Sequence, residues 1–176
     1  EVKSKLEVQT QRLEDIPEAR LARFAKLDVQ GAELMILKNG KAVLDNIALL
    51  QLESSPSPLY HNEPTLFDVG QWLYEQGFVL HTFSNENKRS LKPYGTEENP
   101  YSGRNHIFQV DAVFMPNPLT WDKLSTERLK ALAFFAHAMY RSFDVTMLAL
   151  DVLDRRDGGQ RVEAYRIYLD KAALDA

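Results

Sequence analysis

The chain has 176 residues, 44% of them hydrophobic, and a formal net charge of -4. That composition suits one packed domain with an appendage and excludes disorder throughout; the negative balance lacks the overall basic footprint of a nucleic-acid binder. With no cysteine, disulfides, thiolate metal sites and cysteine nucleophiles are excluded, and a cytoplasmic setting is expected.

No apolar run approaches the roughly 20 residues of a membrane-spanning helix, and EVKSKLEVQT at the start has no apolar signal-peptide region. The chain begins with Glu1, not methionine, which points to a processed product or a piece of something longer. LEVQTQRLEDI (6–16) alternates weakly and could hold a short strand before Pro17. Residues 21–29, LARFAKLDV, suit a buried strand, and GAELMILKN then follows helical spacing up to an Asn39-Gly40 stop. KAVLDN adds one more turn, and IALLQLE (47–53) is a second buried-strand candidate closed by a carboxylate.

Three prolines mark SSPSPLYHNEPT as a loop. Thr65 followed by Asp68 has the spacing of a capping box, opening a helix with a Leu66, Val69 and Leu73 stripe that Gly77 ends. Residues 78–84 read as a strand, 85–105 as a long polar loop and 106–115 as a last strand. Helical crossovers imply parallel neighbours, whereas the last pair has no helix between its strands, so the last strand is expected antiparallel. The predicted class is α/β: a mostly parallel sheet with an antiparallel last strand.

Beyond Pro118 the texture becomes helical. Leu129, Leu132, Ala133, Ala136 and Tyr140 form one stripe behind a Ser125 cap; Val145, Leu148, Ala149 and Val152 form a second, and Val162, Tyr165 and Leu169 a third. The expected division is therefore an α/β part over 1–118 and a helical appendage over 119–176.

Asp28 and Glu53 end two strands expected to be adjacent and parallel, so both should lie at one edge of the sheet, where open α/β sheets bind ligands. Glu33, in the first turn of the intervening helix, faces the same crevice. Clustered carboxylates can orient hydroxyls, accept a proton or bind a divalent cation; equally, Glu33 can complement the helix dipole and Asp28 can bind turn amides. His61, in the loop beyond Glu53, can reach the crevice or simply be solvated. His137 reads as packed, Trp72 and Tyr74 as packing residues, and Trp121 as an anchor for the appendage. There is no HExxH-type pair, and no metal ligand is assigned. The loop 85–105 combines Lys88, Arg89, Lys92 and Arg104 with Tyr94 and Tyr101, a mixture suited to a sugar or anionic acceptor and equally to a solvated surface loop.

RLEDI, then KLDVQGAELMILKNGKAVL, LQLE, PLY, WLYEQGF and DAVF, in that order over roughly residues 8 to 116, resemble the FkbM-type methyltransferases. The resemblance implies a partial class I methyltransferase (Rossmann-like) fold and transfer of a methyl group from S-adenosylmethionine to a hydroxyl of a sugar or natural product. It puts Asp28 at the end of the fourth strand of a seven-stranded sheet and Glu53 at the end of the fifth. Asp28, Gln30 and Glu33 then belong to the cofactor side, Gln30 standing where the family has an acidic residue or glutamine. Asp28, Glu53 and His61 are the catalytic candidates, and Lys88, Arg89, Tyr94 and Arg104 the acceptor-binding ones.

The family's first half, with its glycine-rich donor cradle, has no counterpart in these residues, so this chain alone is expected to bind the donor weakly and to be inactive. The helical appendage is expected to pack on that half or to mediate self-association; no nucleic-acid partner and no membrane span are expected. The other reading is a non-enzymatic binding or interaction module on a methyltransferase-like scaffold.

Overall fold

A computed structural model of the chain describes residues 4–99 and 105–174. Four strands form one sheet: β1 (Phe24–Leu27), β2 (Leu49–Ser54), β3 (Phe78–Lys88) and β4 (Ile107–Pro116), in the spatial order β1-β2-β4-β3. The helices α1 (Glu33–Lys38) and α2 (Lys41–Leu44) lie between β1 and β2, and α3 (Leu66–Glu75) between β2 and β3. After β4 come α4 (Thr126–Tyr140), α5 (Phe143–Asp157) and α6 (Arg161–Leu174). No helix among the described residues is long and apolar enough to cross a membrane.

The expected direction of every strand is found. β1 and β2 pair in parallel, and β4 runs antiparallel to both β2 and β3. The expectation of mostly parallel neighbours needs correction. β4 inserts between β2 and β3, so one pairing is parallel and two are antiparallel. The cause is the connection after β3, which reverses without a helix and can pair along β3 as a hairpin while offering its other edge to β2. Pairing also carries β3 on to Lys88 through irregularities in register, so the polar loop starts later than the sequence suggests.

Two other expectations change. Residues 6–16 hold no strand: Leu13–Asp15 and Pro17–Leu21 form 3-10 turns, with Pro17 at the first position, where its missing N–H costs nothing. The first strand is shorter than 21–29 and only partly buried, because β1 has β2 on one side and no strand on the other among the described residues.

β2 shows why the fold has two cores. Its Leu50 and Leu52 enter one cluster with Leu37, Leu73, Val110, Ala112 and Phe114, while Leu49 enters another with Val113, Trp121, Leu129 and Leu132. A strand buried on both faces reads as a continuous apolar run, and IALLQL is one that only Gln51 interrupts. The first face carries α1 to α3; the second carries α4 and α5, so the helical region packs on this sheet.

Local signals explain the helix ends. The capping box at α3 is present in both directions: the Thr65 hydroxyl accepts from the Asp68 amide, and the Asp68 carboxylate accepts from the Thr65 amide. The Thr65 hydroxyl also donates to the Asp68 carboxylate at 2.6 Å, and that bond first, then the one from the Thr65 amide, holds the Asp68 carboxyl below its ordinary range. Gly77, at φ 83, takes the left-handed turn into β3. Ser125 caps α4 by accepting from the Arg128 amide.

Two buried ties fasten α4 and its approach to the sheet. Trp121 is fully buried and its indole N–H donates to the Pro116 carbonyl at 2.8 Å. Arg128 donates to the carbonyls of Ile47 at 2.7 Å and Leu44 at 3.1 Å, and burial pulls its pKa down to about 10. Of the other aromatic expectations, Trp72 packs against the first cluster, whereas Tyr74 is exposed because it points away from the Val69–Leu73 stripe. His137 is packed as expected: its Nδ1 lies 2.8 Å from the Tyr165 hydroxyl, among the rings of Phe143, Tyr165 and Tyr168.

Candidate functional site

The parallel β1–β2 pairing places Asp28, just past β1, and Glu53, near the end of β2, at the same sheet edge. Gln30 connects them. Its Nε2 donates to Asp28 Oδ1 at 3.0 Å and to Glu53 Oε2 at 2.6 Å. Its Oε1 accepts from the Tyr60 hydroxyl at 2.9 Å. One side-chain amide thus ties two strand ends to the loop that follows β2.

The turn that carries Gln30 is tight. Gln30 has φ 57 and Gly31 φ 98, two successive left-handed residues, of which only the glycine adopts that region freely. Glu33 holds the turn: buried, it accepts from the Val29 amide at 2.8 Å and the Gly31 amide at 3.0 Å, one on each carboxylate oxygen. The turn amides are therefore bound by Glu33, and Asp28 is left exposed at the sheet edge. A Cβ on Gly31 would stand 3.2 Å from Glu63 Cγ, so the missing side chain lets the loop approach. Glu63 also closes that loop by accepting from the Leu59 and Tyr60 amides.

Charges of one sign converge on Glu53. Asp111 is its register partner on β4. Burial raises the Glu53 pKa most, followed by the interaction with Asp28 and the field of Asp111, while the Gln30 hydrogen bond opposes them. Lys26 lies 3.7 Å from the far oxygen of Asp28. The rest of this face is closed by Tyr140 of α4, whose hydroxyl donates to Gln51 Oε1 at 2.7 Å and whose pKa burial and Asp111 raise to about 12. No group among the described residues has the arrangement to hold a metal ion.

The other predicted residues lie further out. His61 is exposed at the loop tip, and it is the neighbouring Tyr60 that reaches the Gln30 amide by hydrogen bond. Lys88 pairs with Glu86 at 2.8 Å. Arg89 stacks over the Phe108 ring at 3.9 Å. Arg89 and Tyr94, with Ser90, Leu91, Asn105 and His106, line a cavity of about 530 Å³. A smaller cavity of about 250 Å³ runs from Arg89 and His106 to Ser57 and Leu59, on the side of the Tyr60 loop. Arg104 and Tyr101 lie outside the described residues.

Tyr60, Glu63, Asp111 and Tyr140 were not singled out from the sequence. PLY pointed at Tyr60 only as part of a resemblance. Asp111 becomes a neighbour of Glu53 only through the insertion of β4, and Tyr140 reads in sequence as one more position of an apolar stripe.

No match was found among curated proteins or among solved structures. The family model described as the methyltransferase FkbM domain matches residues 1–80; β4 and the three C-terminal helices lie beyond that span. The matched segment contains Asp28, Gln30, Glu53 and Tyr60, so the turn, the carboxylate pair and the loop closed over them all sit in the part of the chain that is similar to the FkbM methyltransferase domain.

Proposed function

We propose that the crevice beyond β1 and β2 belongs to an S-adenosylmethionine-dependent O-methyltransferase acting on a hydroxyl of a sugar or natural-product acceptor. The carrying observation is the pair Asp28 and Glu53, brought together on one amide at adjacent parallel strand ends inside the matched segment. The donor is cationic at its sulfonium and amino groups, and a crevice edged by Asp28, Glu53 and Asp111 offers acceptor oxygens and negative charge, so the residues fit it. Asp28 and Gln30 stand nearest to where it would be held. S-adenosylmethionine supplies, when bound, an electrophilic methyl group.

The chain's own part is placement and proton removal. Asp28, fixed by Gln30 and exposed, accepts a hydrogen bond from a ligand hydroxyl or ammonium. Glu53, with its raised proton affinity, accepts the hydroxyl proton of the acceptor, and His61 can relay that proton to solvent. Arg89 and Tyr94 hold the remainder of the acceptor in the cavity they line, and Lys88 and Arg104 remain acceptor-binding candidates from the sequence alone. Glu33 contributes by keeping the turn closed.

In this reading the described sheet is the acceptor-side half of the fold, with the donor cradle beyond the open edge of β1. Supporting it, an apolar groove of about 680 Å³ borders that edge, lined by Leu13, Ile16, Leu27, Met35 and Ile36. The test is transfer of labelled methyl from S-adenosylmethionine by the complete protein to a panel of sugar and natural-product hydroxyls. Asp28→Asn and Glu53→Gln should each lower turnover by about 100-fold or more with folding unchanged. Unaltered turnover in both well-folded variants would refute the assignment, and binding of an acceptor without any transfer would favour a non-enzymatic module.

A further inference from the structure

We propose that Tyr60 is a positioning residue of the site: its hydroxyl fixes the Gln30 amide in the one orientation that donates to Asp28 and Glu53 together. A carboxamide has a donor end and an acceptor end. Flipped, Gln30 would turn its carbonyl towards two carboxylates and its NH2 towards a hydroxyl. In the observed orientation all three contacts are complementary, at 2.6, 2.9 and 3.0 Å. The Gln30 backbone sits at φ 57, a conformation unfavourable for a non-glycine residue that persists where surroundings over-determine it.

The loop side is built for the same contact. Glu63 Oε2 accepts from the backbone amides of both Leu59 and Tyr60, and Glu63 packs on the open face of Gly31. Tyr60 is therefore held by its own backbone, and the residue is 51% exposed. A half-exposed phenol adds little to the core; its hydroxyl serves the polar contact. What the positioning achieves rests on the methyl-transfer reading: it sets the spacing of the two carboxylates and keeps Glu53 ionised against the fields of Asp28 and Asp111. The charged and titratable groups around Glu53 are Asp28, just past β1, with Lys26 paired to it, Asp111 from β4 and, beyond Gln51, Tyr140 from α4. Tyr60→Phe alters none of them.

The experiment is a carboxyl NMR titration of Glu53 in the 176-residue chain, wild type, Tyr60→Phe, Gln30→Met and the double variant, with Glu53→Gln to assign the signal. Tyr60→Phe should move the Glu53 midpoint upward, Gln30→Met should move it further, and Tyr60→Phe should add no further shift in the Gln30→Met background. A Glu53 midpoint unmoved by Tyr60→Phe, or moved equally in both backgrounds, would overturn the proposal. The titration needs neither donor nor acceptor, so its failure and a failure of methyl transfer are separate results.

Discussion

Glu33→Gln separates a carboxylate that builds the turn from one that binds a ligand. Both Glu33 oxygens accept backbone amides, from Val29 at 2.8 Å and Gly31 at 3.0 Å, and the residue is 6% exposed. Glutamine keeps one acceptor but sets an NH2 against the second amide, so one charge-assisted bond is lost and a donor faces a donor. A hydrogen bond to a charged group contributes about 1.5–3 kcal/mol, so the variant should lose roughly 2 kcal/mol. For a chain of this size that corresponds to a fall of about 4–8 °C in Tm. Glu33→Ala, which abandons both amides, should lose more. Thermal unfolding followed by circular dichroism is the assay, with Asp28→Asn as the comparison, since exposed Asp28 should leave Tm nearly unchanged. Equal Tm in wild type and Glu33→Gln would refute the turn-holding role and return Glu33 to the crevice as a ligand-binding carboxylate.

Glu53 sets a pH dependence. Its folded pKa lies above its ordinary value, chiefly through burial and then Asp28, so the folded state binds that proton more tightly; the stability this contributes is full below the ordinary glutamate pKa and is lost as pH rises through the folded pKa. Glu53→Gln should therefore stabilise the chain at neutral pH relative to wild type and lose that advantage in acid, as measured by denaturant unfolding at both pH values. Trp121→Ala should cost about 3–5 kcal/mol, because it empties a fully buried site and removes the tie to Pro116; urea unfolding reads the loss. Thr65→Ala should cost about 1 kcal/mol by breaking the capping box of α3, seen as a lowered denaturant midpoint with an unchanged slope.

Local chemistry made much of this protein legible in its sequence. Thr65 and Asp68 mark the start of α3 because a capping box is completed within four residues, and Gly77 marks its end because a left-handed turn favours glycine. IALLQLE announces a doubly buried strand, and the helix between β1 and β2 implies their parallel pairing, which in turn puts Asp28 and Glu53 at one edge. Each of these signals depends on neighbours along the chain.

What the tertiary structure decided depends on partners far apart in sequence. Nothing within DAVF says that β4 will enter between β2 and β3, yet that insertion sets Asp111 opposite Glu53 and so helps raise its proton affinity. Nothing in PLYHNE distinguishes Tyr60 from His61 as the side chain that reaches inward; the docking of Glu63 on Gly31 and the hydrogen bond from Tyr60 to Gln30 decide it. Glu33 and Asp28 looked interchangeable as turn or crevice carboxylates, and only the direction of the tight turn at Gln30 and Gly31 gave the amides to one and the crevice to the other. Propensity and periodicity act over one or two turns of chain, whereas strand order, loop docking and the direction of a side chain at a crossing are settled by which distant surfaces can be buried together.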